Sequence, residues 1–82
     1  MVTLYIVDDE DMIREGLQYY LDWSSYGVKV VGSQINGERA LPEILQTEPD
    51  AVLTDVVMPK MDGIELAKQL RLSGYTGEII FL

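Results

Sequence analysis

The chain has 82 residues, 48% of them hydrophobic, with 14 acidic and 6 basic side chains for a formal charge of −8, and it has neither cysteine nor histidine. That length allows one domain with a modest core, and the apolar share excludes a chain that stays unfolded. The absent residue types exclude disulfides, thiolate or imidazole metal ligands and phosphohistidine chemistry within the chain, while an acidic surface repels nucleic acid and anionic lipid.

No apolar run approaches membrane-spanning length, and the N-terminus lacks the basic start and small-residue cleavage site of a signal peptide. The chain therefore reads as soluble and cytoplasmic, with no membrane and no direct nucleic-acid contact. Val2 to Val7 (VTLYIV) is a β-rich run ending in acids and predicts a buried strand. From Asp11 to Leu21, Ile13, Leu17 and Tyr20 or Leu21 recur at helical spacing behind an acidic start, a helix that Gly16 weakens. Asp22 to Gly27 is a connector, and Val28 to Ile35 is a second strand with Gly32 as a bulge candidate.

Asn36 is the predicted cap of a second helix whose apolar face is Ala40, Leu41, Ile44 and Leu45. Pro42 lies beyond the first turn, removes a donor, and is expected to kink or restart that helix. Ala51 to Thr54 predicts a third strand running straight into Asp55, and Met58-Pro59 breaks the pattern. Asp62-Gly63 opens a third helix with Ile64, Leu66, Ala67, Leu70 and Leu72 on its apolar positions, Ser73 to Gly77 turns, and Glu78 to Leu82 is a fourth strand. Strands alternating with helical crossovers imply an α/β fold with a parallel sheet and helices on its faces.

Ligands of such sheets bind beyond the carboxyl ends of the strands. Asp8 and Asp9 follow the first strand and Asp55 the third, so neighbouring strands bring all three acids to one edge. Close carboxylates repel and raise one another's pKa, and a hard cation such as Mg²⁺ or Mn²⁺ relieves that repulsion. A carboxylate is also a nucleophile towards a phosphoryl group, giving an aspartyl phosphate. Asp55, which ends an apolar strand and is followed by Val56 and Val57, has little reason to stand there for solubility. Glu10 and Asp11 read as an acidic helix start, Asp62 with Glu65 as a capping box, and Lys60 as a solvated loop lysine rather than a phosphate contact.

The segments YIVDDE at 5–10, NGERAL at 36–41 and DVVMPKMDG at 55–63 together resemble the receiver domains of two-component response regulators, and the resemblance covers the whole chain. LDWSSYGVKVVG at 21–32 further resembles receivers joined to AraC-type DNA-binding modules. The resemblance implies a flavodoxin-like (CheY-like) sheet of strand order 2-1-3-4. It implies that Asp55 is the phosphoacceptor, that Asp9 binds Mg²⁺ directly, that Asp8 acts mostly through water, and that the Val57 backbone carbonyl completes the metal site. It implies a sensor histidine kinase as donor, a DNA-binding output domain in the parent protein, and self-catalysed phosphotransfer and dephosphorylation rather than an enzyme's turnover.

A complete receiver has five strands and five helices, so the resemblance implies that residues 1–82 are its N-terminal portion. The switch Ser or Thr and the Lys of the family would then lie further along. With that order the apolar segment 78–82 becomes an exposed edge, a template for self-association. Two other readings stand beside this one. The first is a receiver-like interaction module independent of phosphorylation. The second is a Mg²⁺-dependent phosphohydrolase, disfavoured because its usual paired acids within one D-x-D segment are absent at Asp55-Val56-Val57.

Overall fold

The β-favouring run Val2–Val7 forms strand β1, and its alternation divides the protein in two. Tyr5 and Val7 face one side and Leu4 and Ile6 the other, because successive strand side chains point to opposite faces. The computed structural model describes residues 1–82. Strand β1 pairs in parallel with β2 (Val28–Gln34) on one side and with β3 (Ala51–Thr54) on the other, and β3 pairs in parallel with β4 (Glu78–Phe81). The sheet order is β2-β1-β3-β4, as the resemblance implies, and the expected bounds of β1 and β3 are those observed.

Helices α2 (Gly37–Thr47) and α3 (Gly63–Leu72) cover the first face, where Ala40, Ile44, Leu66 and Leu70 pack on Tyr5, Val7 and Val52. Leu17 and Trp23 cover the second face over Leu4, Ile6, Ala51 and Leu53. No helix is long and apolar enough to cross a membrane.

Between Leu4 and Tyr5 the register of β2 slips, so that Val30 lies opposite Leu4 and Gly32 opposite Tyr5, leaving Val31 as the extra residue of a bulge. The glycine is required by what lies over it, because a Cβ at Gly32 would stand 2.7 Å from the Tyr5 ring. The Tyr5 hydroxyl donates to the Glu43 carboxylate on α2, and Gln34 Nε2 donates to the other carboxylate oxygen at 2.8 Å. Burial first, and the Glu43 contact second, hold the Tyr5 pKa above its ordinary range. One carboxylate thus fastens α2 to β1 and β2 together.

Three expectations are corrected. The helix expected from Asp11 to Leu21 is α-helical only over Asp11–Glu15 (α1), after which Gly16–Tyr20 takes the wider π geometry and Trp23–Tyr26 a short 3₁₀ turn. The Trp23 indole donates to the Leu17 carbonyl at 2.6 Å, a group that a continuing α-helix would use for the Leu21 amide, and Leu21 is extended. Pro42 neither breaks nor restarts α2, which is a single element across it. The donor it lacks would serve the carbonyl of Glu38, which lies in the exposed first turn and is open to solvent, so the missing hydrogen bond costs little. Residues 35 and 82, assigned to strands from sequence, fall just outside β2 and β4.

Two glycine-to-alanine substitutions are expected to have opposite signs. Gly16 has helical angles (φ −60, ψ −47) and nothing within 4 Å of a Cβ, so Gly16→Ala should stabilise by roughly 0.5–1 kcal/mol. Gly32→Ala pushes the Tyr5 ring out of place and should cost about 1–3 kcal/mol. Urea denaturation of both variants measures the difference.

Candidate functional site

Val7 lies beside Thr54 where β1 and β3 run out together, so the residues after them emerge side by side. The ladder continues one step into both loops: Asp55 N–H donates to the Val7 carbonyl at 2.9 Å and Asp8 N–H to the Gln34 carbonyl at 3.1 Å. Asp8 is 1% exposed, Asp55 is half-buried and Asp9 is exposed. One carboxylate oxygen from each of the three lies within 4.8 Å of the others, so the acids expected to converge do so.

Each loop fixes its acid locally. Asp8 Oδ1 accepts the Glu10 amide at 2.9 Å, and Asp55 Oδ1 accepts the Val56 amide at 2.8 Å, which leaves the second Asp55 oxygen without a protein donor. Asp9 makes no side-chain hydrogen bond of its own. The Asp8 pKa is raised, chiefly by burial and then by the charges of Asp55 and Asp9, against the pull of the Glu10 amide and of Arg14. A buried carboxylate crowded by two more, in an all-oxygen donor set, fits a hard divalent cation.

The loop after β3 is tied down at three points. Met58 is buried in the core beside Leu66 and Leu70, Gly63 N–H donates to the Val56 carbonyl at 2.8 Å, and Gly37 N–H donates to the Met61 carbonyl at 3.0 Å. Gly63 is needed for this approach, since a Cβ there would stand 2.1 Å from the Asp55 carbonyl oxygen, which is backbone and cannot move aside. Within the loop, the Val57 side chain is 79% exposed and its carbonyl accepts no hydrogen bond from the protein. Lys60 is exposed at φ +66 and makes no ion pair.

The bland readings of the other acids hold in part. Asp62 caps α3 by accepting the Glu65 amide at 2.8 Å, but the Glu65 carboxylate turns to Gln69 at 3.3 Å, so the reciprocal half of the capping box is not made. Asp11 pairs with Arg14 at 2.7 Å, while Glu10 gives α1 no side-chain cap. Sequence reasoning missed Arg14, whose Nη1 also donates to the Asp8 carbonyl at 2.8 Å. The i, i+3 spacing of Asp11 and Arg14 was the available signal. It also missed Met58 as the anchor of the loop, for which the sequence carries no signal.

A family model for the response regulator receiver domain matches residues 4–82. The uncharacterized transcriptional regulatory protein YesN of Bacillus subtilis is 39% identical over 70 residues, which is 85% of this chain and 19% of that protein. Among solved structures, the signal receiver domain of NarL from Mycobacterium tuberculosis superposes with a TM-score of 0.88 at 34% identity, covering 98% of this chain and 64% of that one. A two-component transcriptional regulator AraC from Clostridium phytofermentans superposes with a TM-score of 0.83 at 35% identity, covering 99% and 63%.

The crowding of Asp8 has a pH signature. Its folded-state pKa lies above the ordinary 3.8, so between those two values the folded chain holds a proton that the unfolded chain releases, and stability falls as pH rises through that window. Asp8→Asn keeps the acceptor for the Glu10 amide and removes the charge. In metal-free buffer it should melt at a higher temperature than the parent at pH 7, with the advantage shrinking as pH falls through the folded-state pKa of Asp8. An equal or lower melting temperature at pH 7 would show that burying this charge beside two others carries no cost.

Proposed function

The chain belongs to the response regulator receiver domain family, and from that premise we propose that it is a phosphoacceptor module in which Asp55 takes a phosphoryl group from a sensor histidine kinase or a small phosphodonor. The observation that carries the reading is the convergence of Asp8, Asp9 and Asp55 at the ends of two adjacent strands. The Asp55 oxygen that the Val56 amide leaves free attacks phosphorus, the bond from phosphorus to the donor's histidine nitrogen or acyl oxygen breaks, and the leaving group departs with that electron pair. The product is a mixed anhydride on the Asp55 side chain, and it is discharged when water attacks phosphorus, the bond from phosphorus to the Asp55 oxygen breaks, and inorganic phosphate leaves with the carboxylate restored.

Asp8, Asp9, Asp55 and the Val57 carbonyl would hold Mg²⁺ or Mn²⁺. When bound, the ion supplies charge neutralisation for the transferring phosphoryl group. The half-buried position of Asp55 leaves it open to a donor, and Gly63 holds its peptide against α3. The added charge, roughly −1.5 to −2, falls at the start of the loop that begins with Val56 and Val57, the segment best placed to respond. The module is proposed to act in the cytoplasm and to control a DNA-binding output domain of a longer protein, with no direct contact to nucleic acid itself. Its own chemistry is confined to slow self-transfer and self-dephosphorylation.

Incubation with acetyl phosphate and Mg²⁺, followed by intact-mass measurement, should give one phosphoryl adduct that is absent without metal and absent in Asp55→Asn. An adduct that persists in Asp55→Asn would move the acceptor elsewhere. No adduct on the parent chain would favour the phosphorylation-independent interaction module.

The 82-residue chain is also proposed to pair with a second copy through β4. This strand is at the edge of the sheet, and Ile80, Phe81 and Leu82 are 49%, 41% and 54% exposed. A short apolar edge with no charged side chain after Glu78 offers free backbone donors and acceptors to another strand. Sedimentation at rising concentration should show a dimer, and Ile80→Lys should shift it to monomer. A monomer at all concentrations would count against the pairing.

A further inference from the structure

Arg14 is the cation that touches the acidic turn, and its side chain is only 14% exposed. Its guanidinium makes two contacts at once, from Nη1 to the Asp8 carbonyl at 2.8 Å and from Nη2 to the Asp11 carboxylate at 2.7 Å. The Asp8 carbonyl belongs to the peptide that joins Asp8 to Asp9. The fork therefore ties that peptide to the first turn of α1, and rigid two-point contact is what a guanidinium does and an ammonium does not.

The two acids of this turn depend on the clamp unequally. The Asp8 side chain is buried and separately held by the Glu10 amide at 2.9 Å. Asp9 is exposed and makes no side-chain hydrogen bond, so only the backbone from which it departs keeps its carboxylate within reach of the Asp8 and Asp55 oxygens, 4.8 Å or less away. We propose that Arg14 is a positioning residue for the metal half of the site, fixing the Asp8–Asp9 peptide so that the Asp9 carboxylate departs within reach of the cation position before a cation arrives. The inference rests on the phosphoacceptor reading of the Asp8, Asp9 and Asp55 cluster.

Charge and positioning predict opposite signs here. A fixed positive charge beside three carboxylates weakens cation binding by repulsion, so if charge were the main effect its removal would tighten binding. If positioning is the main effect, removal loosens binding in spite of the relieved repulsion. Arg14→Gln removes the charge and the fork. Arg14→Lys keeps the charge and the stem and loses only the two-point contact. Asp11→Asn weakens the outer anchor and leaves the Asp8 carbonyl contact in place.

The test is calorimetric titration of the full 82-residue chain with Mg²⁺, together with the rate of adduct formation from acetyl phosphate as a function of Mg²⁺. Arg14→Gln should raise the Mg²⁺ dissociation constant by about tenfold, the lower end of what outer-shell changes produce, and Arg14→Lys by a comparable factor. Asp11→Asn should fall between Arg14→Gln and the parent. At saturating Mg²⁺ the adduct rate should stay within about twofold, since the lost orientation is restored once the ion is held. Thermal melting without metal checks that each variant folds, and if Arg14→Gln does not, Arg14→Lys decides. A purely structural role would lower the melting temperature and leave the Mg²⁺ constant unchanged, which overturns the proposal. So does an Arg14→Gln chain that binds Mg²⁺ as tightly as the parent or more tightly. If the parent labels at Asp55 but the Arg14 variants titrate like it, this inference alone fails. If the parent binds no Mg²⁺ and takes no phosphoryl group, the phosphoacceptor reading fails with it.

Discussion

Everything at the candidate site depends on the register between β1 and β3. Parallel neighbours lie about 4.8 Å apart, so pairing Val7 with Thr54 delivers Asp8 and Asp55 to adjacent positions beyond the ladder. A slip of one residue would turn each strand's side chains to the opposite face and take the apolar ones out of the core. The register is held by burial on both faces: Val7 and Val52 on one and Ile6 and Leu53 on the other are at most 9% exposed. Apolar packing thus determines the distance between two carboxylates that would separate if free.

The loops carry this placement from backbone to side chain. After β3, the buried Met58, the short approach of Gly63 to the Asp55 carbonyl and the Gly37–Met61 hydrogen bond hold one wall of the site against both α2 and α3. After β1, the Gln34 carbonyl receives the Asp8 amide, and Arg14 takes the Asp8 carbonyl. Gln34 is in turn held by Glu43, the same carboxylate that receives the Tyr5 hydroxyl. The site is therefore continuous with the polar contact that fixes α2, and the bulge at Val31 that admits the Tyr5 ring is part of how the site is held.

What the sequence made legible was local or periodic. The strand runs 2–7 and 51–54 are contiguous and apolar, and the caps Asn36 and Asp62 act on amides three residues away, so short-range chemistry found them. Periodicity gave a parallel sheet, whereas the strand order came through family resemblance, because alternation alone does not say which strand lies beside which. The convergence of the three acids followed from that order. The parts not legible are those decided by partners remote in sequence. Tyr5 and Glu43 are 38 residues apart, and the choice of Trp23 to spend the Leu17 carbonyl depends on a face that only the folded sheet provides. Pro42 was misjudged because a local rule about helix interiors ignored that the orphaned carbonyl is in an exposed first turn.

The two ends of the β1–β3 pair show why residue type alone does not fix how an acid behaves. At the start of the pair, Asp50 accepts from the Thr3 amide at 2.8 Å and the Thr3 hydroxyl at 3.1 Å, and those hydrogen bonds, the amide first, lower its pKa. That carboxylate is stabilised by what surrounds it and fastens the entry to β3 onto β1. At the far end Asp8, the same residue type on the same pair of strands, is buried beside two more acids and its pKa is raised. Its charge opposes folding, and the fold keeps it because the register and the loops leave it no other place. An acid satisfied by donors has no further demand on a ligand, whereas acids crowded together without enough donors favour any cation that neutralises them. The difference between these two carboxylates is therefore set by burial, by neighbouring charges and by the donors each one meets, which follow from the pairing and not from the residue type.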